Sequence, residues 1–155
     1  MIAIVALAVS FVVPGPTGST GAIGSRGPSG GNFTVNTTLL PGQNESGEYS
    51  AWGGGIGSYL ASTVNYRVPL GADLPAGNVT FIAEGGSYTT GCPGPGYAHT
   101  GQLCVYEAQD GGRSGSRIFN PTTGLNGASQ WGFSIWFTAT AASSWSYGSW
   151  TVGAP

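Results

Sequence analysis

The sequence predicts an all-β protein: an antiparallel β-sandwich or jelly-roll head over residues 32–155, behind a short triple-helical segment (14–31) and an apolar N-terminal segment (1–13). Three observations lead there. From Asn32 onward, apolar residues recur at every second position in short runs broken by glycine, proline and asparagine turns, as half-buried strands require. No stretch after residue 13 carries a helical period. Glycine stands at every third position from 15 to 30.

Composition sets the limits. A chain of 155 residues suits one domain with an appendage. Aromatic residues make up 12% of it, which argues for a packed domain rather than disorder. Charged residues are only 6%, against about a quarter in ordinary soluble domains. There is no lysine, and the four arginines (Arg26, Arg67, Arg113, Arg117) face six carboxylates for a net charge of −2. No basic patch can form to neutralise several phosphates, so nucleic acid is excluded as a partner. A surface this poor in charge is weakly protected against association, and self-assembly is the expectation.

Residues 1–13, MIAIVALAVSFVV, are apolar apart from Ser10. As a helix they would span about 20 Å, short of the ~30 Å hydrocarbon core of a bilayer. The length suits the apolar part of a secretion signal, although no Lys or Arg precedes it. Three readings stay open: an assembly element buried against copies of itself, a signal peptide, and a membrane anchor. The first is preferred.

The next segment reads GPTGSTGAIGSRGPSG, with Gly15, Gly18, Gly21, Gly24, Gly27 and Gly30 in unbroken period. Only glycine fits at the axis of a collagen triple helix, so a strict Gly-X-Y period predicts three chains wound together. Pro16 and Pro28 hold the X place, where their fixed φ suits the extended chain. A flexible Gly/Ser linker is the competing reading, but a linker has no reason to keep the spacing. The expectation is a homotrimer. Five triplets are too few to hold three chains alone, so the flanking parts must trimerise first.

Strands follow. NFTVNTTLL places Phe33, Val35 and Leu39 on one face and Asn32, Thr34 and Asn36 on the other, until Pro41-Gly42 breaks the run. Residues 47–52 form a second candidate. Residues 58–70 alternate most cleanly, with Leu60, Val64, Tyr66, Val68 and Leu70 opposite Thr63, Asn65 and Arg67. Val79, Phe81 and Ala83 repeat the pattern, as do Leu103 and Val105, and Trp131, Phe133, Ile135 and Phe137 form an aromatic face. Over residues 145–152 the apolar parity slips near Gly148, which predicts a bulge. Seven or eight short strands without helices make an antiparallel sandwich or jelly roll.

Two cysteines, Cys92 and Cys104, allow one pairing and bracket the turn-rich CPGPGYAHTGQLC. A disulfide is preferred over two buried thiols, and it would place the protein outside the cytosol, in the extracellular space or on the cell surface.

Signatures of catalysis are missing. His99 is the lone histidine, in a Pro/Gly-rich loop without acidic neighbours, and there is no nucleophile elbow, phosphate-cradling loop or metal-ligand spacing. No catalytic residue, metal or cofactor is expected, and the chain is read as a non-enzyme. The aromatics offer more. Trp52, Trp136, Trp145 and Trp150 are candidates either for contacts between subunits, where large rings dominate the energy, or for stacking on sugars. The interface reading is preferred, above all for Trp136, which points away from Phe133, Ile135 and Phe137. Asn32, Asn36, Asn44 and Asn78 begin sequons for N-glycosylation.

The pieces TLLPGQNESGEYSAWG (38–53), VPL (68–70), GQLCVYEA (101–108), NGASQWGF (126–133) and YGSWTVGAP (147–155) carry a resemblance. Residues 38–155 resemble the C-terminal β-sandwich domain of unknown function in bacterial collagen-like (Gly-X-Y) repeat proteins. Such proteins join a secretion segment, Gly-X-Y triplets and a small β domain. The resemblance implies that architecture and an extracellular place, and carries over no catalytic residue. The functional expectation is a trimeric, self-assembling subunit of a surface fibre or filament, whose partner is itself. The alternative is a carbohydrate- or receptor-binding head on such a fibre, with surface glycans as partners.

Overall fold

A computed structural model describes residues 38–155, which belong to one compact unit. The apolar segment, the glycine series, most of the strand expected over residues 32–39, and the sequons at Asn32 and Asn36 lie outside the described residues. The described chain is almost wholly β. In order it forms β1 (Asn44–Gly53), β2 (Tyr59–Asn65), β3 (Leu74–Pro75), a 3-10 turn (Ala76–Asn78), β4 (Val79–Ile82), β5 (Leu103–Gly111), β6 (Arg113–Phe119), β7 (Gly127–Ala128), β8 (Gly132–Ala139) and β9 (Ser144–Gly153).

Three hydrogen-bonded groups result: β1-β9-β5-β4, β2-β8-β6 and the short pair β3-β7. The alternation of each strand decides what meets between them. Tyr49 and Ala51 of β1, Leu103 and Val105 of β5, and Trp150 and Val152 of β9 share a core with Leu60 and Val64 of β2, Ile118 of β6, and Phe133, Ile135 and Phe137 of β8. Both larger sheets therefore turn one face to the same apolar interior, where each large side chain contributes about 1.5–3 kcal/mol.

One pairing departs from the antiparallel expectation. β4 runs parallel to β5, with Val79 opposite Leu103 and Ile82 opposite Tyr106. Parallel neighbours cannot be joined by a tight turn, and here residues 83–102 make the crossover. They fold over the outer face of β5, where Ile82, Cys92, Ala98, Cys104 and Tyr106 form a second apolar cluster. β5 is thus apolar on both faces. The disulfide between Cys92 and Cys104 pins the crossover to that strand, with Cα atoms 5.5 Å apart and both residues fully buried.

Other expectations are corrected in detail. The clean alternation of 58–70 is a strand only to Asn65. Beyond it Tyr66 and Leu70 donate backbone hydrogen bonds to Trp131 and Gln130 without a regular ladder, yet both stay buried. Ala83 falls past the end of β4 and is exposed. Trp131 is 58% exposed in the turn before β8, and so leaves the aromatic face that Phe133, Ile135 and Phe137 form. The bulge predicted near Gly148 lies on the neighbouring strand: the β5–β9 register slips between Glu107 and Gln109, while β1–β9 pairing is continuous. Gly148 still marks the place, because a Cβ there would collide with the Tyr106 carbonyl.

Three tyrosines are buried with their hydroxyls. Burial pushes Tyr49 up to about 12, with its hydrogen bond to Ser146 opposing the shift. Tyr66, whose hydroxyl has no partner among the described residues, is raised by burial and then by Glu45, and Tyr106 is raised by burial. The neutral phenols favour the folded state, so their contribution is complete below ~10, the ordinary value, and is lost as pH climbs through the raised ones. Melting temperature should therefore fall progressively above that pH, with phenolate absorbance for these three appearing only as the fold opens. Ionisation of every tyrosine together, in a still-folded domain, would contradict this.

Candidate functional site

The sequence reading missed one polar constellation. Glu107 of β5 sits on the core-facing side with its side chain fully buried, paired to Arg113 at the start of β6. Its Oε1 accepts from Arg113 Nε at 2.9 Å and from Ser146 Oγ at 2.7 Å; its Oε2 accepts from an Arg113 terminal nitrogen and from Glu84 N at 3.2 Å. Because Ser146 spends its proton on Glu107, Tyr49 must donate to Ser146, at 3.1 Å. The same guanidinium reaches Asp110 at 3.0 Å and lies over the rings of Phe81 and Phe137, 5.3 and 5.1 Å from their centroids. Both Glu107 oxygens have two donors. A carboxylate so occupied has no lone pair left for a substrate, so the group ties β5 to β6 across the corner between the sheets. In the sequence, the only sign was a Glu inside an otherwise apolar run.

The surface aromatics fall into two groups, one on each outer face. On the β1-β9-β5-β4 sheet, Trp52 pairs in register with Trp145, and their near-parallel rings stand 6.0 Å apart. Trp145 continues to Tyr147 at 5.6 Å with an interplanar angle of 18°. Its indole lies against Gly111 of β5, where any Cβ would displace it. Trp52 is 65% exposed, and the Tyr147 hydroxyl donates to Gln109 Oε1 at 2.6 Å. On the opposite sheet, Trp136 packs on Phe119 at 4.7 Å and on Tyr59 at 5.4 Å. Trp136 stays 37% exposed and Tyr59 68%.

Trp150 is removed from the surface candidates. Its parity on β9 turns it into the core, where it is 4% exposed and contacts Tyr66 and Phe133. Gly47 faces it across the strand and leaves room for the ring. Of the two described sequons, Asn44 is exposed on β1, whereas Asn78 is half-buried and donates its side-chain nitrogen to the Gly101 carbonyl at 2.7 Å. His99 is exposed, and among the described residues no three His, Cys, Asp or Glu side chains gather in a way that would hold a metal ion. Glu45, three residues from Glu48, accepts from the backbone nitrogens of Arg67 and Val68 at 2.6 and 3.1 Å, which fixes the chain leaving β2.

Comparison with family models, curated proteins and solved structures finds no match for this chain.

Proposed function

We propose that this chain is an extracellular structural protein: a self-assembling subunit, trimeric through the collagen-like glycine series of residues 15–30, that contributes a β head to a surface fibre or filament. The head is read as a β-sandwich of jelly-roll kind with one parallel strand added at its edge. The observation that carries the reading is the outer face of β2-β8-β6, where Trp136 and Tyr59 stand exposed over Phe119. Apolar rings grouped on a sheet face are covered most readily by a second subunit. A buried disulfide suits an oxidising compartment, and a surface with little charge does not resist close approach. Under this reading residues 1–13 dock against neighbours, and the chain performs no catalysis.

The test is sedimentation velocity on the full chain beside Trp136→Ser, with electron microscopy of both. The expected result is trimers and larger species for the native chain, with the larger species lost in the variant. Monomers of the native chain at every concentration would remove both the triple helix and the assembly. A second reading, a carbohydrate- or receptor-binding head, is favoured by one observation: the other sheet's exposed rings, Trp52 and Tyr147, border a groove.

A further inference from the structure

Two hollows adjoin on the outer face of the β1-β9-β5-β4 sheet. The larger, of ≈ 570 Å³, is lined by Glu48, Ser50, Trp52, Ala108, Tyr147 and Ser149 among others. The smaller, of ≈ 260 Å³, extends from Ala108 and Ser149 to Tyr88 and Pro95 of the crossover. Ala108 and Ser149 border both. The result is a trough with a floor of small residues. One wall carries the rings of Trp52 and Tyr147, and the other is the crossover held by the disulfide. The register slip at Ala108 opens the floor between them.

The lining narrows the occupant. β9, which carries Ser149 and Tyr147, is hydrogen-bonded to β1 on one side and β5 on the other along its length. A peptide laid in the trough therefore finds no free edge on β9 to extend as a strand. None of Arg67, Arg113 and Arg117 borders either hollow. Glu107 is neutralised by Arg113, so among the described residues Glu48 supplies the remaining charge, and it is negative. Phosphate and uronate ligands are disfavoured by that sign. What remains is a run of flat rings beside hydroxyls and a carboxylate. Ring faces cover the C–H surface of a pyranose, while Ser50, Ser149 and Glu48 offer partners to its hydroxyls.

We propose that this trough binds a neutral glycan chain, with sugar rings stacked on Trp52 and Tyr147 and sugar hydroxyls bonded to Glu48, Ser50 and Ser149. The proposal rests on the binding-head reading above and is independent of trimerisation.

The experiment is affinity electrophoresis of the full chain through gels containing hydroxyethyl cellulose, xylan, mannan or soluble starch, with polygalacturonate as the acidic comparison. Retardation by at least one neutral polymer is expected, and weaker or none by polygalacturonate. Trp52→Ala should weaken the binding about tenfold or more, as removal of a central aromatic anchor does. Glu48→Gln should weaken it less, and Trp136→Ala, on the opposite sheet, should leave it intact. Retardation by none of the neutral polymers overturns the proposal. So does stronger binding to the acidic polymer, or equal binding by Trp52→Ala with a native near-UV spectrum. Sedimentation of the same samples keeps the two failures apart: assembled chains that bind no polymer lose the trough alone and keep the fibre.

Discussion

Replacing Arg113 with methionine is expected to destabilise the β domain by about 3–5 kcal/mol, the usual cost of orphaning a buried charge. Glu107 keeps its burial in that variant but loses two of its four donors, retaining Ser146 and Glu84 N. Phe81 and Phe137 lose the guanidinium that lies over them. The check is urea unfolding of the native chain, Arg113→Met, Glu107→Leu and the double variant. The double variant should recover much of the loss, because removing both charges also removes the desolvation that each required. Unfolding of Arg113→Met at the native midpoint would mean that the pair contributes no stability.

Removing the disulfide is the second large effect. The bridge spans a sequence separation of 12 residues, so the chain-entropy model assigns it about 3 kcal/mol. Cys92→Ala/Cys104→Ala should lower the melting temperature by roughly 10–20 °C for a domain of this size. The loss should be uneven. Ile82, Ala98 and Tyr106 belong to the small cluster beneath the crossover, whereas Phe133, Ile135 and Val152 belong to the main core. Amide exchange should accelerate over residues 83–102 well before it does in β8 and β9. Equal acceleration everywhere would mean that the crossover is no separate unit.

What the sequence disclosed, and what it withheld, follows from the kind of information each feature needs. Alternation is local, so Leu60 and Val64, or Phe133, Ile135 and Phe137, announce strands that the structure contains. β6 escapes the alternation rule because Arg113–Phe119 offers one buried apolar residue, Ile118, and a glycine in its midst. Leu103 and Val105 revealed one face of β5, but Cys104 and Tyr106 needed a second cover that only the folded crossover supplies. Strand direction leaves no mark on alternation, which hides the parallel β4–β5 pair. The site divides the same way. Trp136 was legible as outward-facing from its parity, and Trp150 was misplaced because the parity of β9 could be counted from either side of Gly148. The bond between Glu107 and Arg113 crosses from one sheet to the other at a corner, a meeting that no pattern of spacing encodes.

The register of β1 has a mechanical meaning. Asn44 lies opposite Gly153 and Trp52 opposite Trp145, so β1 begins near the C-terminal end of β9 and finishes beside the rings at its other end. Leu39, just before it, is tied by its backbone nitrogen to the Pro69 carbonyl at 2.8 Å. Tension entering at residue 38 while the ring end is held acts along the axis of β1. The bonds between β1 and β9 are then strained side by side, in shear, and none can be peeled away ahead of the others.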